Sequence, residues 1–500
     1  MIVEILLLLS VVLLYWWKFV HKSKVQEMYS KFPGPKPYPI LGNILEFNYP
    51  KEEITETFKR LSFQYGPVYL LVVGQEHIVC IRDPKLLETV FNNSNAVIDK
   101  APMYEMLHPI VNQGLFTSKG EQWIKQRRLL TPAFHVKVLE NFITIFEKNG
   151  AILVENLLKN KDKEFDLMPL VSPCSLDIIC ETAMGFKVNA QQGDSKYLEA
   201  LDEVSEIVAN RNFNFLQRSF LFPLLPTGRR LRKLLAYFHG VTSNIVQERK
   251  IQYSTNGDNS DSEGSPADTG YETKKKKKPF LDLLLEYNMG GAGFTDEDLK
   301  MQVNTFMFAG RDTVQSAISF ALYCLSQNPS VQEKAYKEVM DILQDDDRDA
   351  TFQDLQNMKY LDKVIKETLR IYPPAQFVAR NASEDLDLKN GYVIPKNSSV
   401  MVLIEAMNYD PELYPDPLKF DPERFGRKNF HPFSYIPFGV GLRSCIGQRF
   451  AILAIKSVIS RVLRKIELFP SDKPLVMGFY VVLRSTTGVH LKVKPRDRLK

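Results

Sequence analysis

One cysteine of the five stands where its type and its neighbours could do chemistry. Cys445 lies near the end of the run Phe438-Gly439-Val440-Gly441-Leu442-Arg443-Ser444-Cys445-Ile446-Gly447, and a helix-like segment, 448–462, follows directly. Gly439 and Gly441 lack Cβ, so they suit a backbone that turns sharply or lies close against something flat. A cysteine at a helix N-terminus meets free N–H groups and the positive end of the dipole, which favour the thiolate. A thiolate so placed can ligate haem iron and donate electron density that favours O–O cleavage. The plainer alternative is a buried structural cysteine beside a turn, the common state of a free thiol. The other four, Cys80, Cys174, Cys180 and Cys324, have no close pairing. Such an odd, sparse set suits a reducing compartment rather than a disulfide framework.

Three further constellations place polar residues at helical spacing. Phe306-Met307-Phe308-Ala309-Gly310-Arg311-Asp312-Thr313 falls inside a long apolar stretch. Thr295 opens it as a candidate N-cap, with Asp296, Glu297 and Asp298 in the first turn. Phe306, Ala309, Gly310, Thr313 and Ala317 share one helical face, and the small pair at 309 and 310 leaves room for a flat or diatomic ligand. The Thr313 hydroxyl can bond back to the Ala309 carbonyl or meet an outside partner. Without more, this is a core helix with a kink. Glu367 and Arg370 stand three apart, within pairing reach on a helix, and Arg424 follows in Asp421-Pro422-Glu423-Arg424-Phe425. Trp123 and Arg127 stand four apart on a third helical face, where a solvated arginine is the plainer reading.

The elements that must position these residues read as mainly helical with small sheets. A length of 500 residues suggests about three domains. Hydrophobic content of 44% supports a large core and excludes a disordered chain. A net charge of +5 gives no reason to invoke nucleic acid. Residues 2–20 carry only Glu4 and Lys18 as charges, enough length to cross most of a ~30 Å hydrocarbon core. Tyr15, Trp16 and Trp17 resemble an interfacial belt, and the lysines that follow predict a body left on the cytosolic side. Neither a basic leader nor a small-residue cleavage site marks a secretory signal. Residues 1–24 therefore read as a transmembrane signal anchor and 25–42 as a basic, proline-rich hinge. The four prolines within 33–39 should form a stiff extended connector. The remaining 43–500 are expected to form one domain. Strands are predicted at 69–73 and 77–82 around Gly74-Gln75, more weakly near 386–395 and 480–493, and helices dominate from about 120 to 250. Residues 253–278, rich in Ser, Gly and Asp and ending in five lysines, read as a disordered surface loop.

The cysteine run fits the haem-binding pattern Phe-x-x-Gly-x-Arg-x-Cys-x-Gly of cytochromes P-450 at every fixed position. With the other motifs in the family's order, the whole chain resembles a microsomal cytochrome P-450. It is most similar to family 4, in an arthropod-like form. Gly114-Leu115-Phe116-Thr117, Leu130-Thr131-Pro132-Ala133-Phe134-His135 and Leu176-Asp177-Ile178-Ile179-Cys180-Glu181-Thr182-Ala183-Met184-Gly185 carry that likeness. The resemblance implies the cytochrome P-450 fold, with haem b between the long helix and the cysteine loop. Cys445 would be the axial ligand. Asp312 and Thr313 would be an acid–alcohol pair delivering protons to dioxygen. Trp123, Arg127, Arg380 and Arg443 would bind propionates, and Phe438, Ala309 and Gly310 would border the ring. Glu367, Arg370 and Arg424 would form a structural salt-bridge cluster. The segment 103–115 with Phe306, Phe308, Ala309, Ala375, Phe377, Val378 and Val482 would line a hydrophobic pocket.

The implied activity is a monooxygenase of the endoplasmic reticulum membrane, facing the cytosol. It would draw electrons from NADPH through a reductase, with cytochrome b5 a further partner, and oxidise fatty acids, related lipids or xenobiotics. Two other readings stand beside it: a haem-thiolate isomerase or dehydratase acting on peroxides, and a non-catalytic haem or lipid binder. The chain departs from the family pattern at Ala309, where many family-4 enzymes carry a haem-esterifying glutamate. It also departs at Leu442, Arg311 and Val314. Without that carboxylate the haem is expected to be non-covalently held.

Overall fold

The computed structural model describes residues 24–47, 50–92, 95–193, 196–213, 221–257, 280–290, 294–344, 347–427 and 430–496. The expected anchor lies outside them except for Lys24, as do residues 258–278 of the expected loop. Among the described residues no single helix is long and apolar enough to cross a membrane.

The chain opens on α1 (Lys24–Ser30) and enters the proline-rich run. The prolines forbid helix, as expected, but the run is no free connector. The Leu70 N–H donates to the Pro33 carbonyl at 2.8 Å, and Asn43 Nδ2 donates to the Pro35 carbonyl at 3.1 Å. A Cβ on Gly34 would meet the Leu70 carbonyl oxygen at 2.3 Å, so only glycine lets the run lie flat on the strand.

Next come α2 (Lys51–Tyr65) and the hairpin β1 (Val68–Val73) and β2 (Glu76–Ile81), turning at Gly74-Gln75. Helices then follow: α3 (Pro84–Asn92), α4 (Gly120–Leu130) and α5 (Ile143–Leu158). After β3 (Glu164–Asp166) come α6 (Met168–Ile179), α7 (Lys196–Phe213), α8 (Pro226–Gly257), α9 (Phe280–Met289), α10 (Asp296–Gln327), α11 (Pro329–Leu343) and α12 (Lys359–Ile371). α8 carries helix through 253–257, the first residues of the expected loop. The C-terminal part holds β4 (Val378–Asn381), β5 (Ser399–Val402), α13 (Gln448–Lys465), β6 (Ile466–Pro470), β7 (Met477–Gly478), β8 (Arg484–Ser485) and β9 (His490–Pro495). The weak strand signal near 386–395 is a two-residue ladder, Leu386↔Ile394 and Asp387↔Val393.

The larger sheet has the order β1-β2-β5-β4, with β2 and β5 parallel. Sequence-distant strands thus meet through long connections. A second sheet has the order β3-β9-β6, and β7 pairs with β8.

α10 runs through the core and packs on α6, α8, α12 and α13. Its start is fixed as the sequence predicts. Thr295 Oγ1 accepts the Asp298 N–H at 3.1 Å, and the Asp298 carboxylate accepts the Thr295 N–H at 2.9 Å. Such a capping box is worth about 1 kcal/mol. From 302 to 322 every residue of α10 is buried except Ala309, Gly310 and Thr313. A helix apolar on all sides belongs in a core, so surface left open at its middle marks an internal space.

Candidate active site

The cysteine loop is built by its own backbone. The Cys445 N–H donates to the Phe438 carbonyl at 2.8 Å, and the Ser444 N–H donates to the Gly441 carbonyl at 3.0 Å. Gly439 and Gly441 have φ of +72° and +73°. For Gly439 that conformation is the whole requirement, since a Cβ there would meet nothing within 4 Å. Gly441 is constrained twice, because a Cβ would also come within 3.1 Å of the Phe91 ring. Gly447 caps α13, two residues after Cys445. Cys445 is exposed, whereas Cys80, Cys174, Cys180 and Cys324 are buried. Its sulphur opens onto space yet is ringed by protein. Burial pushes the thiol up, and the Gly447 N–H, Arg127 and Lys100 pull it back down. Burial pushes Cys80 to about 12, with no cation to oppose it, and drives Cys174 and Cys180 higher still.

Four cations converge beside this thiol. Arg127 Nη1 donates to the Ser444 carbonyl at 3.0 Å. Arg443 Nε donates to the Ile98 carbonyl at 2.8 Å, and its guanidinium lies 4.3 Å over the Trp123 ring. Arg380, 1% exposed, donates to its neighbour's carbonyl at 3.0 Å and keeps Nε unpartnered. Lys100 is also buried, its ammonium 4.3 Å over Tyr104 and 4.0 Å over Phe116. Among the described residues, the carboxylate within ion-pair reach of these four is Asp99, 3.8 Å from Arg443. Burial, then Arg380 and Arg443, hold the Lys100 ammonium well below its ordinary value. Burial, then Arg380, pull Arg443 down to about 9. Desolvated like charges disfavour one another, so this cluster is incomplete without an anion.

Lys100 was not legible in the sequence. Its only signal is one acid–base pair, Asp99-Lys100, set between apolar 96–98 and 101–103. It reaches the cluster through a strand-like bridge to Arg380, a contact across 280 positions of chain.

On α10 the Thr313 hydroxyl donates to the Ala309 carbonyl at 2.8 Å. Asp312 does not join it. Consecutive helical residues point about 100° apart, and the Asp312 carboxylate turns into a charge lattice instead. It pairs with Arg311 and, at 2.9 Å, with Arg484. Arg311 and Arg484 each also reach Asp202 of α7, at 2.8 Å. Gly310 has a structural cause beyond space for a ligand, since a Cβ there would lie 2.8 Å from Ile179 Cδ1 of α6.

The structure brings Glu367, Arg370 and Arg424 together out of water. Arg370 grips the Glu367 carboxylate with two bonds, at 2.8 and 2.9 Å, and Arg424 Nε adds a third at 2.8 Å. Spare donors satisfy the Asn408, Pro417 and Pro415 carbonyls, which pins the segment leading toward the cysteine loop.

The expected pocket residues divide. Ala375, Phe377 and Val378 are half-buried. Phe306 and Phe308 are buried, and Phe306 packs against Phe280 at 4.2 Å and Phe134 at 5.5 Å. Phe306 lies on the Thr313 face but two turns away, where other rings cover it. Val482 is buried in a turn tied down by the Leu483 N–H to the Pro374 carbonyl at 2.9 Å.

Comparison with known proteins agrees along the chain. The cytochrome P450 family model matches residues 32–492. Cytochrome P450 4d2 of Drosophila melanogaster is 36% identical, covering 99% of each chain. Cytochrome P450 4c21 of Blattella germanica is 40% identical over 88% of each, and human cytochrome P450 4V2 is 36% identical over 95% of this chain and 92% of its own. A haem suits what is here: an open thiol, open surface at the middle of α10, and a cation cluster with an excess of positive charge to meet two propionates. The chain belongs to the cytochrome P450 family and is a haem-thiolate monooxygenase, its haem iron held by a cysteine thiolate and its electrons drawn from NADPH by way of a reductase.

Proposed function

We propose that Cys445 is the thiolate ligand and that the enzyme oxidises a lipophilic substrate, a fatty acid or related lipid before a xenobiotic. We further propose that it works at the endoplasmic reticulum membrane, anchored by residues 1–24, with NADPH–cytochrome P-450 reductase as donor and cytochrome b5 as a second partner. The observation that carries the reading is the pairing of one exposed thiol with four cations that have only one carboxylate, Asp99, within ion-pair reach among the described residues. Haem, when bound, supplies the reductive activation of O2, one oxygen entering the substrate and the other leaving as water.

The chain's own residues do the rest. Lys100, Arg127, Arg380 and Arg443 neutralise the propionates, and Trp123 stacks under Arg443 to fix its plane. Thr313 holds a hydroxyl proton at the open face of α10, parked on the Ala309 carbonyl. Asp312 faces Arg311 and Arg484 instead of Thr313, so the Thr313 hydroxyl stands without it at the open face. Ala375, Phe377 and Val378 exclude water from the apolar side. Ala309 offers no carboxylate for an ester link, so the haem is held non-covalently.

The test is the full-length enzyme reconstituted with reductase, NADPH and a lipid panel. Product is expected from a long-chain lipid, and Cys445→Ala should abolish the thiolate-type CO spectrum. Thr313→Ala should keep that spectrum but divert NADPH to peroxide, lowering product by roughly 10²–10⁴-fold. A CO spectrum that survives Cys445→Ala unchanged would sink the ligand assignment.

A further inference from the structure

Gly447 lies between the Cys445 thiol and an aromatic group, and nothing in its own conformation demands glycine. Its φ is −88°, on the side open to every residue. A Cβ there would stand 3.9 Å from Cys445 Sγ and 3.9 Å from Phe134 Cε1, ordinary contact on both sides. One methyl would therefore touch sulphur and ring at once. The edge of Phe134 flanks the thiol across a residue that has no side chain.

Phe134 is held in place by packing. It closes the short 3₁₀ turn Thr131–Phe134 that follows α4. Its ring stacks on Phe306 of α10 at 5.5 Å and 22°, and lies 6.3 Å from Phe280 of α9. Phe134 and Ile446 are half-buried, whereas Thr131, Pro132 and His135 are exposed. Bulk water therefore lies close along the chain on both sides of the ring. The thiol's other neighbours are polar: the Gly447 N–H, Arg127 and Lys100.

The apolar shell around a metal ligand sets solvent access and dielectric, and with them the reduction potential. Water bonded to a thiolate draws charge from it and favours the reduced iron, which carries the extra electron. A ring that keeps water out does the reverse. It keeps the sulphur electron-rich, the property that favours O–O cleavage.

We propose that Phe134 is a positioning residue that shields the Cys445 sulphur from water and so holds the haem potential low. This rests on the assignment of Cys445 as ligand and adds to it what sets the ligand's donor strength. Gly447 serves the shield by leaving no side chain between ring and sulphur.

The experiment is a redox titration of the full-length holoenzyme, read by the haem spectrum, with the reduced CO spectrum taken on the same samples. Phe134→Ala should favour the reduced iron about tenfold, a rise of about 59 mV, while keeping the thiolate-type CO band. Phe134→Leu should return the potential close to wild type, because an aliphatic side chain of similar reach also excludes water. Phe134→Val should give a smaller rise of the same sign, which keeps the test open if Phe134→Ala does not fold. Phe280→Leu removes a ring of the same aromatic group away from the sulphur and should leave the potential unchanged. Wild-type potentials in both Phe134→Ala and Phe134→Val would overturn the shield. So would an equal rise in Phe280→Leu, which would trace the effect to packing in general. A wild-type enzyme without the thiolate-type CO band would overturn the ligand assignment and the shield with it.

Discussion

Two buried cation clusters in this molecule are alike in composition and opposite in closure. At Glu367, two arginines share one carboxylate, and their remaining donors are spent on backbone carbonyls. At Cys445, an ammonium and three guanidiniums share one distant carboxylate, and Arg380 keeps a buried Nε unpartnered. The first cluster is finished by the polypeptide and serves folding. The second is left with excess positive charge, a desolvation cost that a bound anion would offset. Burial alone does not tell a structural ion cluster from a binding one. The missing counter-charge does.

The sharpest way to break this contrast is Glu367→Gln. It leaves Arg370 and Arg424 buried without a carboxylate, and losing one partner of a buried pair costs about 3–5 kcal/mol. Denaturant unfolding should show that loss whether or not haem is bound. A loss below about 1 kcal/mol would mean the cluster is not closed by Glu367.

Lys100→Met should behave in the opposite way. Haem should transfer to a competing apoprotein roughly tenfold faster, the size of one lost charge-assisted bond. The haem-free chain should be no less stable, because a desolvated ammonium has been removed. Unchanged haem transfer would remove Lys100 from the cluster.

A partly exposed pair gives the small end of the scale. Arg348 bonds Asp354 at 2.7 Å, and Asp354 also completes the capping box with Thr351. The Arg348 guanidinium, opposed by burial and helped by Thr351, pulls the Asp354 carboxyl down to about 2. A carboxyl depressed on folding stabilises above its unfolded value, near 4, and loses that contribution as pH falls through its folded value. Asp354→Asn should therefore cost about 1 kcal/mol at neutral pH. The gap from wild type should close between about pH 4 and pH 2. A gap that stays constant over that range would mean ionisation is not its source.

What was legible in the sequence is what local chemistry fixes. The two glycines, cysteine and α13 lie within a dozen residues, so turn geometry and helix start determine one another there. Thr295 and Asp298 set the start of α10 for the same reason. The Gly74-Gln75 turn set the hairpin register. The 33–39 run was legible as non-helical and extended, but its docking was not, because that depends on Leu70 and Asn43, which propensity cannot pair with it.

The tertiary structure alone decided where charge would be closed. Lys100 and Arg380 meet through a strand-like bridge between distant segments, and Arg484 reaches Asp312 and Asp202 from the far C-terminal sheet. Ion pairing depends on distance and burial, and neither is written in the spacing of residues hundreds of positions apart. Sequence by itself determined the glycine turn around Cys445, the long helix and the family they belong to. The fold determined that Asp312 turns away from Thr313, that Phe306 is covered by other rings, and which cations remain without a carboxylate.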